Sequence, residues 1–275
     1  MKILFSKMSG AGNDFVVVDN RNGIISDPPA FALKVCNRRL GIGADGILLI
    51  ENSDISDFTM KYYNADGSNA GMCGNGGRCI AKYAYDHRIV SNESFQFEGF
   101  GHIYSAARID SNIYNLTMKE PSGLLLNQCI QIDEKTIIGN YLNTGTDHSI
   151  IFLKDNPELG NLDTVDVFGL GKKIRYHLLY APIGTNVNFV SRNDAKGISI
   201  RTYERGVEDE TLACGTGSVA SALLSSMKFG LESPVSVAVK SGESLEISFA
   251  KDGNRFTNVR LKGSAVTTYI GEIDA

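Results

Sequence analysis

The sequence predicts an α+β fold of two pseudo-symmetric domains, each a curved, mostly antiparallel sheet wrapped around a central helix. Two observations carry this expectation. First, a short stretch occurs twice: Met72-Cys73-Gly74-Asn75-Gly76-Gly77-Arg78 and Ala213-Cys214-Gly215-Thr216-Gly217-Ser218. In both, a cysteine precedes Gly-x-Gly and then helix-forming sequence, Cys79 to Tyr85 in one and Val219 to Leu224 in the other. Second, the order of turns and strands around each copy is similar. The two cysteines stand 141 positions apart, about half the chain. Asn64 lies nine residues before Cys73 and Glu204 ten before Cys214, both at expected strand ends. This reads as a duplication.

The elements follow from local pattern. Residues 3–8 and 15–19 read as strands around the turn Ser9 to Asp14. The Gly-x-Gly inside that turn is followed by a strand, where a dinucleotide motif needs a helix. Residues 28–39 read as a helix, capped by Asp27 and opened by proline. Gly41-Ile42-Gly43-Ala44-Asp45-Gly46 is a turn into the buried strand 47–50, and 58–64 alternates as a strand. Residues 94–118 give three short alternating segments, a meander. Lys119 to Gly123 breaks the pattern and marks a boundary near Glu120. In the second half, strands are expected at 137–142 and 149–153, with Thr144 to His148 as the turn between them. A mixed stretch runs to Tyr180. Gly184 to Val190 is a turn and strand, 198–203 a strand, and the second helix runs from Gly215 to about Lys228. Strands at 235–239, 245–249, 258–261 and 265–270 finish the chain.

Composition narrows the function classes. With 275 residues, 43% of them hydrophobic, the chain can bury a full core. A net charge of −4 argues against a nucleic-acid or membrane-surface role. No apolar run approaches the ~20 residues of a membrane span. The start of the chain, Met1 to Met8, has too short an apolar core for a signal peptide, so a cytoplasmic location is expected. Five cysteines (Cys36, Cys73, Cys79, Cys129, Cys214) without CxxC spacing read as reduced thiols, with no metal site.

A cysteine at a helix start faces free N–H groups and the positive end of the helix dipole. That lowers its thiol pKa and raises the thiolate fraction. Two such cysteines on equivalent turns suggest a pair acting on one small substrate. The N–H groups of Gly74, Asn75, Gly215 and Thr216 would hold a carboxylate between both dipoles. Cys36, Cys79 and Cys129 read as small buried apolar residues. His87, His102 and His177 lack a motif and read as structural.

Several motifs together resemble the diaminopimelate epimerase family. They are Phe5-Ser6-Lys7-Met8 with Gly10, Gly12, Asn13, Asp14 and Phe15; Asn64-Ala65-Asp66-Gly67-Ser68; Cys73-Gly74-Asn75-Gly76 with Arg78; Gly184-Thr185-Asn186-Val187-Asn188-Phe189; Tyr203-Glu204-Arg205-Gly206; and Cys214-Gly215-Thr216-Gly217. The resemblance implies two domains, 1–119 with 264–275 and 120–263, with the site in the cleft between them. It implies no cofactor, no metal and a homodimer. The implied reaction converts LL-2,6-diaminopimelate to the meso form, for lysine and peptidoglycan synthesis. Inverting a weakly acidic α-carbon needs a base on one face, an acid on the other, and stabilisation of charge on the carboxylate. Cys73 and Cys214 would fill the first two roles.

By the same resemblance, His148 helps set the ionisation of a catalytic cysteine. Glu204-Arg205 reads either as an exposed charged turn or as a grip on the substrate. Glu204 can accept from an ammonium, and Arg205 can hold a carboxylate in its fork. Asn13, Asn64 and Asn186 read either as turn residues or as ligands for the non-reacting end. Two positions depart from the family pattern: Gly46 replaces a common glutamine, and Thr146-Asp147-His148 replaces Asn-Pro-His. Other readings remain open at this stage: a racemase of another amino acid, a single-thiol hydrolase or peroxidase, or a non-catalytic anion-binding protein.

Overall fold

The computed structural model describes residues 2–69 and 71–274. Met1, Ala70 and Ala275, which the expected first domain includes, lie outside the described residues. The chain divides into two compact units, Met1–Thr117 with Lys262–Ala275, and Met118–Leu261.

In the first unit, β1 (Lys2–Gly10) and β2 (Asn13–Asp19) form a hairpin. Its two turn residues, Ala11 and Gly12, have φ of 56° and 93°. Positive φ at both positions matches the twist of the flanking strands. α1 (Pro28–Cys36) crosses over, so β3 (Gly46–Glu51) runs parallel to β2. β4 (Phe58–Asn64) pairs antiparallel with β3. α2 (Gly74–Asp86) is the second crossover, and β5 (Ser94–Gly99) lies parallel to β4. β6 (His102–Arg108) and β7 (Ile113–Thr117) follow as an antiparallel meander. The last strand of the chain, Val266–Asp274, pairs antiparallel along β1.

The second unit repeats this order. β8 (Ser122–Ile132) and β9 (Lys135–Asn143) pair antiparallel, and β10 (Asp147–Phe152) joins β9 the same way. α3 (Val167–Arg175) crosses over to β11 (Asn186–Arg192), parallel to β10. β12 (Gly197–Glu204) is antiparallel to β11 and is capped by the short β13 (Asp209–Thr211). α4 (Gly215–Phe229) crosses over to β14 (Val235–Ala238), parallel to β12. β15 (Ser244–Asp252) returns antiparallel, and β16 (Arg255–Ser264) and β17 (Val266–Asp274) end the chain. In both units a helix separates each pair of parallel strands, because a parallel return needs a crossover.

The expected α+β architecture of two similar sheet-wrapped helices is the one observed. α2 is buried from Gly74 to Ala84 and packs against β1, β2, β3, β4, β6 and β7. α4 is buried from Gly215 to Ser226 and packs against β10, β11, β12, β14 and β15. A helix enclosed this way needs small residues where strands approach. A Cβ on Gly77 would lie 2.7 Å from Leu116 and from Met72.

Four details differ from the sequence reading. α1 ends at Cys36 rather than residue 39, because the Asn37 side chain accepts from the N–H groups of Arg39 and Leu40 and starts a turn instead. The mixed stretch before Tyr180 contains α3. β8 spans residues 122–132, where only a pattern break was expected. Its register shifts twice, between Ser122, Leu125 and Gln128, so its apolar residues do not alternate. Cys129 on β8 is exposed, unlike the buried Cys36 and Cys79.

Candidate active site

Cys73 and Cys214 are the N-cap residues of α2 and α4. Both have extended backbone, φ −108° and −117°, as a residue entering a helix from a strand or loop should. The Gly-x-Gly turn after each is therefore a helix first turn, the end of a helix toward which the positive pole of its dipole points.

Around Cys73, the sulfur accepts from the Gly76 N–H at 3.4 Å and lies 3.5 Å from Asn13 Oδ1. Asn13 is aimed by Asp45, whose Oδ2 accepts from Asn13 Nδ2 at 2.6 Å and from the Asp14 N–H at 3.1 Å. Asp14 in turn pairs with Lys7 at 2.5 Å and Arg38 at 2.8 Å. Burial and the Asp14 charge raise the Asp45 carboxyl. Burial pushes Asp14 up too, but the Arg38 and Lys7 donors outweigh it and hold it below the usual range. The loop that presents Asn13 is thus braced by four charged side chains. Gly10 lets β1 approach this turn: a Cβ there would lie 2.8 Å from the Asn75 carbonyl.

The other first-unit candidates are placed differently. The Asn75 side chain accepts from Arg78 Nη2 at 2.9 Å. Arg78 is fully buried and also donates to the Gly74 and Ser264 carbonyls. A buried guanidinium needs such acceptors, and here they tie the first turn of α2 to the returning chain. Asn64 is the last residue of β4, paired across from Gly46, with its amide on Ser68 Oγ at 3.0 Å. Gly46 is buried, and a Cβ there would collide with the Tyr63 carbonyl and the Tyr62 ring. A longer side chain has no room at this backbone position.

In the second unit, His148 lies within β10, one residue into the strand, and has no exposed surface. Its Nε2 is 2.9 Å from Thr146 Oγ1, and its Nδ1 is 3.1 Å from Asn188 Nδ2. Thr146 Oγ1 is also 3.1 Å from Thr216 Oγ1, which is 3.7 Å from the Cys214 sulfur. Burial pushes the His148 pKa down to about 3, so the ring is neutral at physiological pH. The structure thus brings Thr146, His148, Thr216 and Cys214 into one continuous network.

Arg205 and Asn186 form a neighbouring cluster with Asp147. Arg205 Nη1 meets Asp147 Oδ2 at 3.0 Å and donates to the Gly184 carbonyl. The Asn186 amide accepts from the Arg205 N–H and donates to the Asp147 carbonyl. Asn186 therefore fixes the backbone of both partners. Burial alone would raise the Asp147 carboxyl. The Tyr141, Asn143 and Arg205 donors outweigh it and keep the group ionised. Glu204 ends β12 and accepts from Thr211 Oγ1 at 2.8 Å.

Asn188, Thr202, Asp45 and Arg78 also hold these groups in place. Asn188 was legible in principle: it is two residues after Asn186 on one strand, so both share a face. Nothing local singles out Asp45. No group of three or more His, Cys, Asp or Glu among the described residues is arranged to hold a metal ion. No helix among them is long and apolar enough to cross a membrane.

Two sheet-wrapped helices, each with a cysteine at its N-cap position, define the fold class of the duplicated units. Solved structures share the architecture. A phenazine biosynthesis protein of the PhzF family from Bacillus anthracis aligns over all of both chains, with a TM-score of 0.77 and 12% identity. A probable proline racemase from Agrobacterium radiobacter aligns over 99% of this chain and 93% of that one, with a TM-score of 0.74 and 14% identity. The sequence comparison is narrower. The profile for diaminopimelate epimerase matches residues 5–112 and 140–268. The diaminopimelate epimerase of Flavobacterium psychrophilum is 41% identical over 94% of this chain and 95% of that protein. Those of Aquifex aeolicus and Chlorobaculum tepidum are 38% and 41% identical, over 98% and 97% of this chain and 97% and 99% of theirs. The chain belongs to the diaminopimelate epimerase family.

Proposed function

We propose that this protein is a cofactor-independent epimerase that interconverts LL-2,6-diaminopimelate and meso-diaminopimelate, in lysine and peptidoglycan precursor synthesis. The observation that carries it is the pair of cysteines, each at the N-cap position of a buried helix that opens on a Gly-x-Gly turn. One cysteine, as thiolate, removes the α-proton, and the other, as thiol, returns a proton to the opposite face. The C–H electron pair stays on the substrate and is delocalised into its carboxylate. N–H groups of Gly74, Asn75, Gly215 and Thr216 stabilise the charge that grows there. Roles exchange with substrate configuration.

For the remaining residues we propose substrate contacts. Glu204 receives the ammonium, Arg205 the far carboxylate, and Asn13, Asn64 and Asn186 orient the non-reacting end, with Gly46 and Thr146 lining the site. The division into a Cys73 domain and a Cys214 domain is supported by the two compact units. A homodimer in the cytoplasm completes the reading. A second reading, a racemase of another amino acid, is favoured by one observation: Arg205 Nη1 already carries Asp147.

The test is solvent-deuterium incorporation at the α-carbon of LL- and meso-diaminopimelate without added cofactor, run in parallel with lysine, histidine and glutamate. Cys73→Ala and Cys214→Ala should each lose about two to four orders of magnitude in rate. Full activity in either variant would rule out the two-thiol scheme. Faster exchange of a mono-carboxylate substrate would favour the second reading.

A further inference from the structure

We propose that Thr146 and Thr216 form a one-way hydroxyl relay through which His148 holds a hydrogen-bond donor on the Cys214 sulfur, making Cys214 the resting base of the pair; its catalytic meaning rests on the two-thiol reading above. Direction is set at one end by a backbone carbonyl. Asn188 Nδ2 lies 3.4 Å from the Ser149 carbonyl, and Asn188 Oδ1 accepts from Thr202 Oγ1 at 3.0 Å. A carbonyl only accepts, so the Asn188 amide has one orientation and its NH2 faces His148. His148 Nδ1, 3.1 Å away, therefore accepts. A neutral imidazole has a single N–H, which is then on Nε2.

From there each hydroxyl has one proton to give. Nε2–H donates to Thr146 Oγ1 at 2.9 Å. Thr146 turns its own proton to Thr216 Oγ1 at 3.1 Å. Thr216 turns its proton to the sulfur at 3.7 Å. A donor on sulfur stabilises thiolate over thiol. An asparagine at position 146 would accept on one atom and donate from another; a hydroxyl does both at a single atom, which keeps the relay in line. The fully buried, neutral ring fixes the starting tautomer. The charges that bear on it are Asp147 and Arg205, which are paired with each other at 3.0 Å. No proton travels along the relay, because threonine hydroxyls stay protonated. When Cys214 takes the substrate α-proton, the C–H bond breaks, an S–H bond forms, and the Thr216 hydroxyl rotates away.

Cys73 has a different partner. The Asn13 Oδ1 that faces its sulfur is fixed as an acceptor, since Asn13 Nδ2 is held by Asp45. An acceptor beside sulfur favours the protonated thiol, against the opposing pull of the Gly76 N–H. The two loops are thus built alike in backbone and unlike in what touches sulfur. His148, Thr146, Asn188 and Thr202 are positioning residues for Cys214.

The experiment follows the 13Cβ signals of labelled cysteines through a pH titration of the full chain, with Cys73 and Cys214 assigned from their alanine variants. Cys214 should titrate below Cys73. Thr216→Val should cut the Cys214 thiolate fraction ~10-fold or more below its midpoint, and Thr216→Ser should restore it. Thr146→Val should shift Cys214 in the same direction by less. Two-bond 1H–15N spectra should show His148 protonated at Nε2 and bare at Nδ1. An unchanged Cys214 titration in Thr216→Val, or an Nδ1–H tautomer, would overturn the relay. None of these readouts uses substrate, so they stand or fall separately from the epimerase assay.

Discussion

His148 is where a single side chain most affects how the protein responds to its surroundings. Its ordinary pKa of 6.5 falls to about 3 because burial disfavours the imidazolium. The unfolded chain therefore binds a proton that the folded chain refuses between those values. Its contribution to stability is complete above pH ~6.5 and declines as pH falls toward ~3, by about 1.4 kcal/mol per pH unit. Urea melts across this range should show stability dropping with acid, and His148→Gln should flatten that slope. Equal slopes in the two proteins would mean that other groups carry the acid sensitivity. Asp147 shows the opposite outcome for a charge near the site. Asp147 adds a negative charge where the family pattern has proline, and that charge is taken up by Arg205 and the Tyr141 hydroxyl. That pairing joins residues 58 positions apart, so no local pattern announces it.

At the scale of elements, α2 and α4 were readable because a cysteine, two glycines and a helical run are local signals. α3 was not. It holds Gly169 and Gly171 within nine residues, a composition that argues against helix. Gly171 is there because the Tyr203 side chain packs against it, a tertiary demand that overrides propensity. β8 was missed for a related reason: Leu124, Leu125 and Leu126 run together instead of alternating. α4 also has an internal weakness. Among the described residues, Ser221 and Ser225 are buried with no hydrogen-bond partner for Oγ. Ser218 and Ser226 instead donate to the Cys214 and Leu223 carbonyls. A buried hydroxyl without a partner costs stability, and alanine is the better helix former. Ser221→Ala and Ser225→Ala should each raise stability by about 1 kcal/mol in denaturant melts. A loss in both would mean that these hydroxyls are bonded in solution.

At the scale of the whole molecule, the duplicated order of turns, strands and cysteine helices was legible, since each copy repeats the same local signals around its cysteine; the parallel pairings across each helix crossover were not. The register that closes the first unit was not. β17 runs antiparallel along β1 from Lys2↔Asp274 to Ser9↔Val266, and Gly271 admits the Phe5 ring against its backbone. Ending the chain at Ser264 should expose the β1 edge. Amide protection in β1 and β2 should then fall by orders of magnitude in hydrogen exchange, with the truncated chain prone to self-association. Protection equal to that of the full chain would show that β1 needs no β17.

That β1–β17 ladder also sets an order of assembly during synthesis. The second unit is one unbroken run of sequence, whereas the first is drawn from both ends of the chain. The ribosome releases β1 long before β17, so β1 has to wait for all the strands between them before its outer neighbour exists. Of these strands the one made earliest is thus the last to be sealed. For most of translation its edge is open to whatever binds nascent strands.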